Sequence, residues 1–216
     1  MSAALNLERP QLLTDLVADR IREAIVRGEL KLGEQVSEAQ LAQRTGVSKT
    51  PVREALLRLK SEGLVEVHPQ RGTFVFRLEP EQVGQLCRYR VMVESAALRE
   101  AMAIDAPALA AEMEKLVGEM KKAERARDQQ ALARLDMDFH WLFFARCSNG
   151  YLRAGYEVIR SQLVALRHRS PTGDMAVAHQ VLVDAVAAGD ARRATALLGE
   201  HVLLNEPRYR IACGGD

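Results

Sequence analysis

The sequence predicts a mainly α-helical protein in two parts, a small helical head with a two-stranded hairpin over residues 1–78 and an all-helical bundle over residues 79–216. The 216-residue chain is 48% hydrophobic but only 5% aromatic, and this composition favours packed amphipathic helices over a sandwich or barrel. Strand-like alternation occurs only shortly before Pro80, and the later segments show helical spacing alone. The length suits two unequal domains.

Two helices are predicted at the N-terminus. Apolar residues recur at helical spacing over residues 12–25, and Gly28 follows as a stop signal. Ser37 and Gln40 form a capping box, in which each side chain is expected to satisfy the other residue's free amide. The short helix that follows is predicted to end in a tight turn at Gly46.

A third helix and a hairpin complete the head. Ser48 is placed to cap the helix KTPVREALLRLKSEG, where Pro51 is harmless because a first-turn N–H has no intrahelical partner. The segments LVEVH and TFVF are predicted to pair through a turn at residues 69–72. This layout is that of a winged helix-turn-helix, whose second motif helix enters the DNA major groove. The alternative is a helical cap whose basic residues are merely solvated.

The stretch LAQRTGVSKTPVREALLRLKSEGLVEVHPQRGTFV closely resembles the signature of GntR-type bacterial transcription regulators, in which G-V-S-R-T-P-V-R-E-A-L opens the recognition helix. The resemblance implies contacts with a double-stranded operator from the helix and from the wing in the minor groove. Lys49 stands where Arg is commoner in this signature. An ammonium group therefore replaces a guanidinium that can donate two parallel hydrogen bonds. With Arg58 added from the same polar helix face, the candidate DNA-binding residues are Ser48, Lys49, Thr50, Arg53, Arg58, Arg71 and Gly72.

Bulk properties limit the function classes. Residues 1–78 contain 12 Lys and Arg against 10 Asp and Glu, and the rest contains 18 against 19, so DNA binding must rest on particular residues rather than on net charge. No apolar run approaches the roughly 18 residues that span a bilayer. The first nine residues lack the order of a signal peptide, and Cys87, Cys147 and Cys213 form no CxxC pair. We therefore expect a cytoplasmic protein with reduced cysteines and no membrane segment.

From Pro80 onward the sequence predicts six helices separated by turn and breaker residues. The breaks are expected at Pro107 and at residues 149–150, 171–173 and 189–190. The predicted helices cover residues 80–103, 107–127, 129–148, 151–170, 174–188 and 190–211.

The pentapeptide DMDFH at residues 136–140 raises the possibility of a metal site. On a helix, Asp136 and His140 are i and i+4 on one face, whereas Asp138 points about 200° away. His179 and His201 each lie mid-helix among apolar residues. One Asp and three His can hold Zn²⁺, Ni²⁺ or a similar cation with positions left open. The alternative is a set of ordinary hydrogen-bonded core histidines.

Positions 82–204 resemble the all-helical effector domain, called FCD, of the FadR-type branch of these regulators. The resemblance lies in Asp136 and His140, His179 before an Ala-Gly-Asp turn, and Glu200-His201, although Ser148-Asn149-Gly150 departs from the usual Ser-Gly-Asn. It implies that Asp136, His140, His179 and His201 bind a divalent metal, with Zn²⁺ first, and that a small carboxylic acid effector lies against it. Six helices suggest the VanR-like subgroup.

Effector contacts are expected from two residues. Arg90 begins an R-x-x-x-E pattern with Glu94 and is either a carboxylate clamp facing a cavity or one half of a helix-stabilising i,i+4 pair. Asn205 is the second candidate, with Arg146 and Arg153 as weaker ones. The resulting hypothesis is a homodimeric repressor that binds an inverted repeat and responds to a small acid. The alternatives are a regulator with a purely structural metal and a metal-dependent hydrolase.

Overall fold

The computed structural model describes residues 13–170 and 174–214. Contacts divide the chain into two compact units, one ending at Phe76 and the other beginning at Arg77. Leu12, expected in the first helix, and the break expected at residues 171–173 lie outside the described residues. Within the described ranges, no helix has both the length and the apolar character needed to cross a bilayer.

The N-terminal unit contains helices and a small antiparallel sheet, as predicted. Buried residues of α1 and α3 pack together and form its core, including Ile21, Ile25 and Leu59. The elements are α1 Leu13–Val26, β1 Gln35–Val36, α2 Glu38–Thr45, α3 Lys49–Ser61, β2 Val65–His68 and β3 Gly72–Val75.

The wing has three strands in the described residues, where the sequence analysis expected two. The strand order is β1-β3-β2, with Gln35 opposite Phe74 on one side of β3 and His68 opposite Gly72 on the other. The extra strand β1 is two residues long, and a two-residue strand is too short to show the alternation by which strands are predicted. The pairing matters because it ties the wing to the segment before α2.

The predicted capping box of α2 forms in a modified way. The Ser37 hydroxyl oxygen accepts from the Gln40 amide at 3.2 Å, as expected for an N-cap. The Gln40 side chain, however, accepts from the Ser37 hydroxyl at 3.1 Å, where the prediction had it serving the Ser37 amide. Gly46 ends the helix with φ 71°, in the left-handed region that favours glycine.

The C-terminal unit is an all-helical bundle in its described residues, which confirms the predicted fold class. The central helix α4 packs against α5, α7 and α8, and its buried residues Met113, Val117 and Met120 contribute to the core. The helices are α4 Pro80–Ala126, α5 Gln129–Arg146, α6 Gly150–Arg169, α7 Met175–Ala187, α8 Ala191–Leu204 and α9 Glu206–Ala212.

Two helix boundaries differ from the sequence-based division. The break expected at Pro107 is a kink inside α4, where Asp105 is extended (φ −161°, ψ 82°) and its carboxylate accepts from the Ala108 amide at 2.9 Å. The single helix expected over 190–211 is instead divided at Asn205, because Pro207 lies in the first turn of α9 and disfavours helical continuation just before it. When the two halves of α4 are counted separately, the described residues of the C-terminal unit form seven helical segments. The six-helix argument for the VanR-like subgroup therefore does not hold.

Candidate DNA-reading surface and metal-binding cluster

The first turns of α3 expose the residues expected to read DNA. Lys49, Thr50 and Arg53 share one solvent-exposed face, while Val52 and Leu56 point into the core. Ser48 precedes the helix in an extended conformation, and its side chain makes no capping hydrogen bond within the described residues. A helix N-terminus with exposed hydroxyl and cationic side chains suits contact with phosphate and base edges.

Arg53 does not project freely from this face. Its Nε and Nη2 each donate to a carboxylate oxygen of Glu38, on α2, at 2.8 Å. The hydrogen bond to Arg53 lowers the pKa of Glu38, and the same bond raises the pKa of Arg53. The sequence analysis did not identify Glu38, since the first turn of a helix is an ordinary place for an acidic residue.

Arg58 lies apart from the other candidate DNA-binding residues. It is five positions after Arg53, which rotates its side chain about 140° around the helix axis. Its Nη1 donates to Asp15 on α1 at 2.6 Å, and its Nε lies 3.4 Å from Glu62. The structure therefore places Arg58 at the contact between α1 and α3.

The tip of the wing exposes Arg71 and Gly72, as expected for a minor-groove contact. The Gln35 side-chain amide donates to the Arg71 carbonyl at 2.8 Å. Gly72 has φ 110°, and a Cβ there would lie 2.8 Å from the Gln35 amide nitrogen. The positive φ favours glycine, and a Cβ would also force the flexible end of the Gln35 side chain to move.

The structure brings Asp136, His140, His179 and His201 together in the C-terminal unit. One ligand atom from each residue lies within 4.8 Å of every other. Asp136 and His140 come from α5, His179 from α7 and His201 from α8. Donors around a tetrahedral zinc ion lie roughly 3.3 Å apart, so a small inward movement of these side chains would complete such a site.

Hydrogen bonds on the outer side of the cluster determine how two imidazoles face it. Nδ1 of His140 lies 2.8 Å from a Glu94 carboxylate oxygen, and Nδ1 of His179 lies 2.8 Å from the Met175 carbonyl. Both partners only accept, so Nδ1 of each ring donates, and Nε2 is the nitrogen left for the cluster. Nε2 of His179 is buried without a hydrogen-bond partner in the described residues and lies 3.3 Å from Asp136 Oδ1.

The electrostatics favour the metal-binding forms of these side chains. Burial opposes ionisation of Asp136, but Arg167 together with His179 and His140 outweighs it, and these groups hold the pKa of the carboxylate well below its ordinary value. Burial, reinforced by the neighbouring imidazoles, keeps the pKa of His201 well below its ordinary value. An ionised carboxylate and a neutral imidazole are the protonation states that bind divalent cations.

Arg90 is buried beside this cluster and is 2% exposed. Its Nε donates to Glu94 at 2.7 Å and its Nη1 to the Tyr209 hydroxyl at 2.9 Å. Its Nη2 has no partner in the described residues. The i,i+4 pair that the sequence analysis posed as one of two alternatives is therefore present, and through Glu94 it supports His140.

A cavity of about 140 Å³ adjoins the cluster at His179 and His201. Asn205 lines it, as expected of an effector contact, and donates to the His201 carbonyl at 2.9 Å. Two arginines that the sequence analysis missed, Arg167 and Arg208, also line it. Arg167 lies in the last turn of α6, where basic residues are common, and Arg208 lies in the first turn of α9, a helix that the sequence did not separate from α8, so no sequence signal distinguished them.

Arg167 connects the cavity to the cluster. It is 3% exposed and its Nε lies 2.9 Å from Asp136 Oδ2, while its Nη1 has no hydrogen-bond partner among the described residues. The two weaker candidates have other partners: Arg146 pairs with Glu112, and Arg153 donates to backbone carbonyls at the end of α5.

Comparisons with known proteins agree with both units. Residues 13–75 match the model described as bacterial regulatory proteins, gntR family, and residues 85–204 match the FCD domain. A probable D-xylose utilization operon transcriptional repressor from Paenarthrobacter nicotinovorans is 30% identical over 207 residues, covering 92% of this chain and 91% of that protein. An uncharacterized HTH-type regulator from Streptomyces ambofaciens is 30% identical over 188 residues, covering 85% and 79%.

The fold also has a close solved counterpart. The crystal structure of a GntR transcriptional regulator from Rhodococcus sp. RHA1 superposes with a TM-score of 0.74 at 24% identity, over 91% of this chain and 96% of that one. At this identity the likeness concerns the fold alone, and the roles of individual residues rest on the geometry described above.

Proposed function

The chain belongs to the gntR family of DNA-binding transcriptional regulators and contains an FCD effector domain, and from this premise we propose that it is a metal-anchored sensor of small carboxylic acids. The observation that supports this most directly is the convergence of Asp136, His140, His179 and His201 beside a cavity whose lining includes two arginines. In the cytoplasm, the acid would change the affinity of the α3 helix for an operator.

The donor chemistry fits a divalent first-row cation. Nε2 of His179 lies 3.3 Å from Asp136 Oδ1, so a cation between the imidazole and the carboxylate would bind both donors at once. Three imidazoles and one carboxylate suit Zn²⁺ first, with Ni²⁺ as an alternative, and a ligand oxygen would be a further donor that expands the coordination beyond four. When bound, the metal supplies a Lewis-acidic anchor for that oxygen.

Charge balance favours an anionic effector. The buried charged groups around the cluster are Arg90, Glu94, Asp136 and Arg167, two cations and two anions. A divalent cation would leave two uncompensated positive charges in the core, which is costly in a low-dielectric interior. A mono- or dicarboxylate would offset them, and a cavity of about 140 Å³ limits the acid to a few heavy atoms.

Arg167 and Arg208 are the side chains best placed to hold the acid. Arg167 has an unpartnered buried Nη1 and lines the cavity. Arg208 lines it too, with Nη1 donating to Asn205 at 3.2 Å. An arginine fork suits a carboxylate, and Asn205 links Arg208 to His201. The role of Arg90 is to hold Glu94, while its Nη2, which has no partner in the described residues, is the group that the clamp alternative would use.

The DNA-binding species is proposed to be a homodimer. Three large apolar side chains on α4 and α6 are strongly exposed, namely Met92, Tyr151 and Val158. Burying them against a second copy would remove this apolar surface from water. A two-fold dimer presents two α3 helices to half-sites about one helical turn apart, as an inverted-repeat operator requires. Acid binding shifts operator affinity if one arrangement of the dimer binds the acid better than the other arrangement does. For a repressor, the expected result of acid binding is release from DNA.

The proposal is tested by metal content and acid-dependent DNA binding. Metal per chain is measured by mass spectrometry for the wild type, His179→Ala and the control His68→Ala, which makes the same substitution in the wing. DNA binding is measured on the duplex selected by the wild type from a random-sequence library, with and without a panel of two- to six-carbon carboxylic acids. About one metal per chain, lost only in His179→Ala together with the acid response, is the expected result.

Other outcomes separate the alternatives. Loss of metal with an unchanged acid response would make the metal structural, and absence of metal in all three proteins would refute the metal-anchored sensor while leaving operator binding intact. Arg208→Met should keep the metal and weaken the acid response, whereas the control Arg192→Met, on the exposed start of α8, should change neither. A hydrolase is the weaker candidate, because Asp174, the carboxylate in the cavity lining outside the cluster, is exposed to solvent, and the two arginines favour binding of an anion.

A further inference from the structure

The pairing of Glu38 with Arg53 suggests how one base is read. The pair joins the first turn of α2 to the exposed face of α3, through two hydrogen bonds of 2.8 Å. The Arg53 side chain is 66% exposed and that of Glu38 is 33% exposed. Ion pairs this exposed contribute little to folding stability, so stability alone does not account for a carboxylate on a DNA-reading face.

The geometry leaves one edge of the guanidinium free. Arginine has five N–H donors in a planar fork, and Glu38 occupies the edge formed by Nε and Nη2. Both hydrogens of Nη1 and the second hydrogen of Nη2 remain, and these form the end of the fork. That end can donate to two acceptors at once, such as O6 and N7 of guanine in the major groove.

The carboxylate also changes what Arg53 prefers to bind. A free arginine on a DNA-binding surface readily contacts phosphate, and such contacts add affinity without sequence information. Glu38 neutralises Arg53 locally and repels phosphate oxygens, and it holds the side chain so that less rotamer freedom is lost on binding. The charge effect weakens a phosphate contact, and the fixed orientation favours a base contact that requires a defined geometry.

We propose that Glu38 is a specificity-determining residue, which holds Arg53 so that the free end of its guanidinium reads one guanine of the operator. The inference rests on the proposed operator contact of Arg53 but is separate from the metal and effector site. It assigns to Glu38 a positioning role, since Glu38 itself does not touch the base.

Three variants test the inference on full-length protein. Glu38→Gln keeps the size of the side chain and removes its charge. Glu54→Gln is the matched control, because Glu54 is the next residue on α3, carries the same charge and accepts instead from the Thr14 hydroxyl on α1 at 2.7 Å. Arg53→Ala identifies the base pair that Arg53 reads. Each protein is titrated against the duplex selected by the wild type from a random library, against all its single-base-pair substitutions, and against an unrelated duplex, over a range of salt concentrations.

The expected result concerns one base pair. Arg53→Ala should lose discrimination at one G·C pair, where a bidentate contact typically gives roughly 5- to 100-fold preference. Glu38→Gln should lose about tenfold in discrimination at the same pair, bind the unrelated duplex at least as tightly as the wild type, and show a salt dependence that is steeper by about one phosphate contact. Glu54→Gln should behave like the wild type at that pair.

The outcomes that would overturn the inference are distinct from those that would overturn the proposed operator contact. If Arg53→Ala lowers affinity equally for every duplex, Arg53 binds phosphate and the inference is wrong. If Arg53→Ala loses discrimination at one base pair while Glu38→Gln and Glu54→Gln discriminate equally well there, Arg53 reads the base without help from Glu38 and the inference is wrong. If Arg53→Ala leaves all affinities unchanged, the proposed operator contact itself fails.

Discussion

Replacing Arg90 by Met tests which of its two possible roles this arginine plays. The substitution removes a guanidinium that is 2% exposed and leaves Glu94, 0% exposed, without its positive partner. Tyr209 also loses the donor that its hydroxyl accepts from. Met keeps most of the aliphatic volume, so the expected loss comes from an uncompensated charge and not from a cavity.

The magnitude follows from these contacts. Removing one partner of a buried ion pair typically costs about 3–5 kcal/mol. For a chain of this length, each kcal/mol lowers the melting temperature by roughly 2–4 °C, so Arg90→Met should lower it by about 10 °C. The double variant Arg90→Met/Glu94→Gln removes both charges and should recover at least half of that loss, because no buried charge is left unpaired.

The assay is thermal and chemical unfolding of metal-free protein, since bound metal would add stability by mass action. Arg88→Met is the control, because Arg88 is an exposed arginine two residues earlier on α4, and it should stay within about 0.5 kcal/mol of the wild type. The reasoning is refuted if Arg90→Met unfolds within about 1 kcal/mol of the wild type, or if the double variant is no more stable than the single one. Unchanged stability with a lost acid response would instead make Arg90 a ligand clamp.

Three further predictions concern the metal support, a helix cap and the wing. Glu94→Gln weakens the hold on His140 and should lower metal affinity about 10- to 100-fold in a chelator competition; equal affinity would show that Glu94 does not orient the ring. Ser37→Ala removes the cap of α2 and should cost about 1 kcal/mol in chemical denaturation, and an unchanged midpoint would contradict this. Gly72→Ala meets a positive φ and the Gln35 side chain, so it should weaken operator binding without altering metal content; normal DNA binding would argue against a fixed wing tip.

Local sequence signals were sufficient wherever the determining interactions are themselves local. The cap at Ser37, the left-handed turn at Gly46 and the break near Pro107 each depend on residues within a few positions of one another, and the structure places all three elements close to where they were expected. Periodic apolar residues likewise identify a buried helix face without knowledge of what covers it. The chain's division at Asn205 was missed because helical periodicity continues across it.

The candidate metal cluster was predicted from spacing and from family resemblance together. Spacing alone aligned Asp136 with His140, because both lie on one helix. That His179 and His201 converge on the same point depends on how α7 and α8 pack against α5, and no periodicity encodes the packing of separate helices. The resemblance supplied this long-range information, and the structure then brought the four side chains together.

The sequence by itself determined the helical class, the winged head and the identity of the candidate ligands, because these follow from short-range patterns and from a long continuous motif. Only the tertiary structure decided which side chains face which. It paired Glu38 with Arg53, turned Arg58 toward α1, buried Arg90 against Glu94 and Tyr209, and placed Arg167 and Arg208 at the cavity. The physical reason is that an arginine pairs with whichever carboxylate or hydroxyl the fold brings close to it. Contacts between separate helices depend on packing, which the linear pattern of residues does not specify.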